Sequence, residues 1–229
     1  MIYITGDTHI PVDIGKLSTK CFPQQKEMTK NDHVIICGDF GGVWDGSNEE
    51  KYWIKWLKNK NFTTLFLDGN HENFDMLYAM PEMEFAGGAV HKVDEGIYHL
   101  IRGEAYTING KKIFVFGGAR SHDKDIRTEG KNWWKTEMPS DREYENAERN
   151  LEKYNFNFDY VITHCAPTSI QRKLAPTYEI NRLTDYFENV KLTISYKKWF
   201  FGHYHRDEIV DEKYIAIFNS VSKIDAFQT

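Results

Sequence analysis

Short runs of β-branched, aromatic and other apolar residues recur along the chain, and turn residues separate them. Runs of this kind are typical of buried β-strands. They predict strands over residues 2–4, 34–37, 65–67, 113–116, 160–162, 199–201 and 214–218, with weaker candidates over 90–93, 96–101 and 105–108.

Helices are predicted between several of these runs, where apolar residues recur at intervals of three and four. Two of the helices have a start signal, because Ser47 with Glu50 and Ser140 with Glu143 have the spacing of a capping box. A third helix is predicted over residues 181–190.

The order of these elements predicts the fold class. Strands alternate with helices through the first half of the chain and again after Ser140, which is typical of βαβ units in a largely parallel sheet. Asn109-Gly110 separates two strand candidates and is a strong signal for an antiparallel hairpin. No internal repeat, low-complexity tract or linker interrupts the chain. We therefore expect a mixed, layered α/β fold in a single domain over residues 1–229.

Composition and charge narrow the class of protein. Of the 229 residues, 41% are hydrophobic and 28% are charged, which is typical of a folded globule. The net charge of -5 disfavours broad binding to a phosphate polymer, because such binding needs many lysine and arginine contacts. Three cysteines are too few for a disulfide framework, and no segment has the length of a membrane span or the pattern of a signal peptide. We expect a cytoplasmic protein without membrane partners.

Residue types that bind metals directly follow five of the predicted strands. In an open α/β sheet, ligands bind at the carboxyl ends of the strands, so the five segments can converge on one site. Histidine nitrogen and carboxylate oxygen are donors that borderline divalent metals accept. The segments are Gly6-Asp7-Thr8-His9, Gly38-Asp39, Gly69-Asn70-His71-Glu72, His164 and Gly202-His203-Tyr204-His205.

Each segment, taken alone, is also explained as a turn, because Asp, Asn and Gly are ordinary turn residues. Turn chemistry gives no reason for histidines to occupy the same position after so many strands. The joint pattern therefore predicts metal binding.

Together these segments resemble the calcineurin-like metallophosphoesterase superfamily. The ordered blocks of that superfamily are Asp-x-His, Gly-Asp, Gly-Asn-His-Glu, a single His and Gly-His-x-His, and all occur here in that order between Asp7 and His205. The resemblance implies a four-layer αββα sandwich, in which two mixed β-sheets pack face to face between outer helices. It also implies a phosphoesterase with two divalent metal ions, which we expect to be Mn, Fe or Zn.

The resemblance also implies roles for individual residues. The Asp39 carboxylate would bridge the two metals, and His71 would lie beside the scissile phosphate of a small mono- or diester substrate. Two such ions can hold a bridging hydroxide that attacks phosphorus, while His71 stabilises or protonates the leaving oxygen. The implied ligands are Asp7, His9 and His205 for one metal and Asn70, His164 and His203 for the other.

The segment after Asp39 departs from the protein phosphatases of the superfamily. Those enzymes have Val-Asp-Arg-Gly there, whereas Gly42 of this chain stands where a carboxylate would orient the catalytic histidine. The usual phosphate-binding arginine is absent from this segment as well. These differences disfavour a protein Ser/Thr phosphatase and leave Asp45 or another carboxylate as the candidate partner of His71.

Three interpretations compete with this one. Cys165 and Arg172 invite comparison with the His-Cys-x5-Arg loop of cysteine phosphatases, but six residues separate them and these include Pro167. A nuclease uses the same two-metal chemistry, and the acidic chain favours short or single-stranded nucleic acid as its substrate. A metal-binding scaffold without activity is the third alternative, although every block retains its ligand.

Residues 117–139 form a long segment with little periodicity directly after a predicted strand, and loops of this length are usually functional. The alternative is that its arginines are solvated and its tryptophans pack on the core. The candidates are Arg120, His122 and Arg127 for a phosphate clamp, and Trp133 and Trp134 for the wall of a pocket.

Several aromatic residues and histidines outside these segments are expected to have structural roles. Trp44 and Trp53 are expected to pack in the core or at its rim rather than to stack on a ligand. His33, His91 and His99 lie outside the metal-binding blocks.

Overall fold

Residues 1–227, the part of the chain that this computed structural model describes, form thirteen strands and five α-helices. The strands are β1 (Ile2–Thr5), β2 (His33–Ile36), β3 (Thr63–Phe66), β4 (Glu82–Phe85), β5 (Gly88–Asp94), β6 (Ile97–Leu100), β7 (Ala105–Ile108), β8 (Lys111–Phe116), β9 (Tyr160–Thr163), β10 (Lys198–Phe201), β11 (Glu208–Val210), β12 (Tyr214–Ala216) and β13 (Ser222–Lys223). The helices are α1 (Asn48–Lys58), α2 (Phe74–Tyr78), α3 (Asp141–Lys153), α4 (Thr168–Leu174) and α5 (Arg182–Thr193).

The strands form two mixed sheets. The first has the order β13-β1-β2-β3-β6-β5-β4, and the second has the order β11-β12-β10-β9-β8-β7. The central strands of each sheet are parallel. Antiparallel strands extend both sheets outward. The predicted mixed α/β class is confirmed.

Alternation along the strands explains how the layers pack, because successive side chains point to opposite faces of a sheet. Ile35 of β2 and Ile162 of β9 lie in one apolar cluster, so the two sheets share a central core. Val34, the neighbour of Ile35, faces the other way and packs with Leu57 of α1.

The outer face of the second sheet packs on three helices. Phe114 of β8 lies in one cluster with Leu151 of α3, Ile170 of α4 and Phe187 of α5. The layers are therefore helix, sheet, sheet and helix, which is the αββα sandwich that the resemblance implies.

The predicted hairpin forms at Asn109-Gly110. Ile108 of β7 pairs with Lys111 of β8, so the loop has two residues. Asn109 and Gly110 have φ angles of 49° and 75°, as the right-handed twist of a two-residue hairpin requires.

The predicted helices α1, α3 and α5 are confirmed, whereas α2 and α4 were not predicted. The strands β4, β11 and β13 were also not predicted. β4 is largely exposed and β13 has two residues, so neither leaves a clear apolar run in the sequence. Among residues 1–227, no helix has both the length and the apolarity needed to cross a lipid bilayer.

Candidate metal centre

The five predicted metal-binding segments follow the carboxyl ends of β1, β2 and β3 in the first sheet and β9 and β10 in the second. Parallel strands end at the same side of a sheet, so the fold brings these segments together. The ligand atoms of four residues lie within 4.8 Å of one another: Asp7, His9, Asp39 and His205.

Glycines allow these segments to approach closely. A Cβ on Gly69 would lie 2.0 Å from Asp39 Oδ1, and one on Gly202 would lie 2.1 Å from Asp7 Oδ1. Gly69 therefore makes room for a carboxylate from the neighbouring strand, and Gly202 makes room for one from the other sheet, in addition to forming the turns that the sequence predicts.

Four of the candidate ligands have a left-handed backbone conformation, which bends the chain sharply just after a strand. Histidine and aspartate tolerate this conformation better than most residues other than glycine and asparagine. The φ angles are 34° for His9, 45° for Asp39, 65° for His203 and 49° for His205.

The buried Asp39 carboxylate faces two different histidines. Its Oδ2 lies 3.3 Å from His9 Nε2, and its Oδ1 lies 3.5 Å from His164 Nε2. Oδ1 also accepts a hydrogen bond of 2.7 Å from the backbone N–H of His71. The two oxygens therefore point toward two separate groups of candidate ligands.

Hydrogen bonds on the far side of each ring orient His9 and His164. His9 Nδ1 lies 2.8 Å from Asp13 Oδ2, and His164 Nδ1 lies 2.7 Å from the carbonyl oxygen of Cys37. Carboxylate and carbonyl oxygens accept only, so each Nδ1 carries a proton and each Nε2 is directed at Asp39. This arrangement is typical of histidines that bind a metal.

Asn70 lies beside His164 in the second group of candidate ligands. Its Oδ1 lies 3.3 Å from His164 Nε2, and its Nδ2 donates to Ser121 Oγ at 3.2 Å. Glu137 in turn accepts hydrogen bonds from the backbone N–H and the hydroxyl of Ser121, at 3.0 and 2.5 Å. Residues of the segment 117–139 therefore fix which way the Asn70 amide points.

The remaining two candidates follow β10. His205 Nε2 lies 3.1 Å from Asp7 Oδ2, and the backbone N–H of His203 donates to the same carboxylate. The ring of His203 lies 5.1 Å from the ring of His164, measured between centroids. All seven predicted ligands are therefore close to one another.

The carboxylates dominate the electrostatics of the centre. Burial by itself lowers the pKa of His9, but the hydrogen bond and charge of Asp39 raise it overall to about 9. The same balance raises the pKa of His164 to about 9. The protons on these two rings supply positive charge beside the carboxylates. A bound divalent cation would supply that charge in their place, so the donor set fits a metal.

The match with known proteins decides the family. The family model for calcineurin-like phosphoesterases matches residues 1–207. The chain belongs to this family. A comparison with curated proteins gave no match. The family and the donor cluster together support a metal-dependent phosphoesterase.

Metal binding to this phosphoesterase is expected to strengthen as pH rises from about 6 to about 8. His9 and His164 must each lose a proton from Nε2, and their pKa values of about 9 mean that protons compete with the metal at neutral pH. Calorimetric titration with Mn²⁺ in two buffers of different ionisation enthalpy counts the protons released. Binding without proton release at neutral pH would contradict this electrostatic account.

His71 has an arginine rather than a carboxylate beside it. Arg127 Nη1 lies 3.1 Å from His71 Nδ1, and Asp123 accepts from Arg127 Nε and Nη2 at 2.8 and 2.7 Å. A guanidinium only donates, so Nδ1 of His71 accepts and its proton is on Nε2. Asp45, the candidate partner from the sequence, instead accepts from the backbone N–H of Ser47.

The three clamp candidates of this phosphoesterase have different surroundings. Arg127 contacts His71, and the ring of His122 lies 5.6 Å from that of His203. Arg120 is paired with Glu179 at 2.6 Å. The structure therefore places two of the three beside the candidate centre.

A cavity of about 380 Å³ opens beside His9 and His71. Trp44 is half-buried and packs at the rim of the core, as expected, and its exposed part lines this cavity. Trp134 is buried behind Trp44, and the two indole rings are in edge contact with their centroids 5.5 Å apart. The aromatic wall that was predicted from Trp133 and Trp134 is therefore formed mainly by Trp44.

Several supporting residues were not predicted. Asp13 lies four residues after His9, a spacing that could have revealed it, whereas Ser121 and Glu137 lie far from Asn70 in sequence. Lys16 was also missed, although its Nζ donates to the carbonyl oxygen of Asp7 at 2.7 Å.

Replacement of Glu137 by Gln or of Ser121 by Ala is expected to weaken metal binding by about 10- to 100-fold at the group that contains Asn70, because the amide loses its orienting partner. Metal titration followed by elemental analysis measures this, with the exposed Glu129→Gln as the control. Unchanged affinity in both variants would mean that Asn70 is oriented without Ser121.

Proposed function

We propose that this chain hydrolyses small phosphomonoesters or phosphodiesters with the help of two divalent metal ions. The observation that carries the proposal is the position of Asp39, whose two carboxylate oxygens face two different histidines. A carboxylate placed in this way can bind one ion through each oxygen. The orienting hydrogen bonds on His9 and His164 support the same assignment.

The proposed ligands fall into two sets around Asp39. When bound, divalent ions supply the positive charge that stabilises phosphoryl oxygens and activates water. The first set is Asp7, His9 and His205, and the second is Asn70, His164 and His203.

His71 acts on the substrate rather than on a metal in this proposal. Its Nδ1 accepts from Arg127, so Nε2–H is free to donate to an oxygen of the reacting phosphate. Burial and the charge of Arg127 lower the pKa of His71, partly offset by Asp39. The ring is therefore mainly neutral at pH 7 and stabilises the developing negative charge by hydrogen bonding.

The test is a paired assay of metal-loaded protein on an aryl phosphomonoester and an aryl phosphodiester, with elemental analysis of the same sample. We expect about two ions of Mn, Fe or Zn per chain and turnover of at least one ester. Metal uptake without turnover of either ester would favour the scaffold interpretation. A trace of metal after reconstitution would contradict the two-ion proposal.

A chelator is expected to abolish this hydrolysis, whereas Cys165→Ser is expected to retain most of it. Burial raises the pKa of the Cys165 thiol to about 12, so the thiolate that a cysteine phosphatase needs is scarce at neutral pH. Initial rates with and without chelator measure both effects. An inactive Cys165→Ser protein that still folds and holds metal would restore the thiolate mechanism.

A further inference from the structure

We propose that the cavity beside His71 receives the organic group of the substrate and prefers a planar group that carries positive charge over one that carries further negative charge. This inference rests on the proposed function, because it takes the reacting phosphate to lie at His71. His9 and His71 both line the cavity; His9 is also a candidate metal ligand, and the backbone N–H of His71 donates to Asp39 of the candidate centre. A phosphate held between them therefore directs its ester group into the cavity.

The aromatic wall of the cavity is fixed before any ligand arrives. The backbone N–H of Trp44 donates to Glu50 Oε2 at 2.6 Å, and its carbonyl oxygen accepts from Asn73 Nδ2 at 2.6 Å. The indole is braced by Trp134, whose Nε1 donates to Asp75 at 2.7 Å. Little side-chain entropy remains to be lost on binding, which favours stacking of a flat group on Trp44.

The size of the cavity limits the organic group to a small one. Its volume of about 380 Å³ lies toward the small end of the range for small-molecule sites. A single ring with a short substituent fits this space, with the ring face toward Trp44 and the phosphate toward His71.

The charged residues that line the cavity determine which charge the substituent on the bound ring should carry. The lining includes Asp45, Glu49 and Glu50, and among residues 1–227 no lysine or arginine lines the cavity. The positive charge on His9 lies beside Asp39 at the candidate metal centre, where the phosphate would bind. Glu50 Oε2 already accepts from three backbone N–H groups of residues 44–46. Asp45 accepts the backbone N–H of Ser47 through Oδ1, but it is exposed, as is Glu49, so both carboxylates can also meet a cation.

The N-terminus of α1 does not reverse this preference. A helix N-terminus attracts anions, but Ser47 caps α1 by accepting from the backbone N–H of Glu50, and Glu49 and Glu50 are in its first turn. The carboxylates therefore offset the positive end of the helix, and a cation over the Trp44 ring gains a further attraction.

The probes are two phenols with the same ring and opposite charge, 4-(aminomethyl)phenol and 4-hydroxyphenylacetate. Binding of each to the metal-loaded protein is followed at the Trp44 indole N–H by NMR, with Trp44→Phe for assignment. We expect the cationic phenol to bind about 5- to 10-fold more tightly at low salt, and both to shift the Trp44 signal.

Two variants test which residues cause the preference for the cationic phenol. Asp45→Asn combined with Glu49→Gln is expected to remove most of the difference between the two phenols, and Trp44→Leu is expected to weaken both. Glu152→Gln, an exposed acid on α3, is the control for general surface charge. Equal binding of the two phenols, tighter binding of the anion, or no change at Trp44 would overturn the inference.

Hydrolysis of the corresponding aryl phosphates is measured in parallel, so that the two proposals can fail separately. Preference for the cationic phenol without hydrolysis supports the assignment of the cavity and contradicts the proposed function. Hydrolysis without preference contradicts the assignment of the cavity alone.

Discussion

Asp39→Asn is expected to lose both metal ions and, with them, nearly all turnover. Its two oxygens face His9 and His164, so one substitution removes negative charge from both groups of ligands at once. The loss of affinity should exceed the roughly 10- to 100-fold effect typical of a residue that only supports a ligand. Elemental analysis after reconstitution and initial rates on an aryl phosphate measure the two effects.

The control for this variant is Asp125→Asn, an exposed acid on the segment 117–139. Circular dichroism shows whether each variant is folded, since Asn can still accept the hydrogen bond from the backbone N–H of His71. Loss of only one ion from Asp39→Asn would mean that the carboxylate does not bridge two sites.

His71→Ala is expected to keep both metals and to lose turnover by about 10²- to 10³-fold, the usual effect of removing one donor to a developing negative charge. Its Nε2–H is the group that faces substrate in the proposed arrangement, because Nδ1 is occupied by Arg127. His71→Gln places an amide N–H near the position of Nε2 and is therefore expected to lose less than Ala.

A comparison of aryl and alkyl leaving groups distinguishes between two roles of His71. A neutral imidazole donates a hydrogen bond, so the loss in His71→Ala should be similar for aryl and alkyl phosphates. A much larger loss for alkyl phosphates would indicate full proton transfer to the leaving oxygen instead. Loss of a metal from His71→Ala would make this residue a ligand.

The sequence predicted that the candidate ligands lie close together because they follow directly after strands. Once β1, β2 and β3 are parallel, the residues after them must share one side of the sheet. The histidines after β9 and β10 follow the same rule in the second sheet. Periodicity was therefore enough to place these residues together within each sheet, and the packing of the two sheets, which the resemblance implies, brings both groups to one place.

The parts that the sequence did not predict depend on how one long segment folds back over the centre. Arg127 reaches His71 across 56 residues, and Ser121 reaches Asn70 across 51. No periodicity constrains residues 117–139, so their positions follow from tertiary contacts alone. The single domain, the cytoplasmic location and the roles of Arg120, His122 and Arg127 in substrate binding stay predictions.

The left-handed backbone at His9, Asp39, His203 and His205 has a consequence for how the protein can evolve. Each such residue costs about 1 kcal/mol relative to a relaxed backbone, in a fold whose whole stability is only about 5–15 kcal/mol. Glycine at these positions would relieve this backbone cost and remove a candidate metal ligand. In a lineage freed from the need to bind metal, the backbone would therefore favour glycine at these positions. The relaxed backbone and the side-chain chemistry make opposite demands on the same few residues.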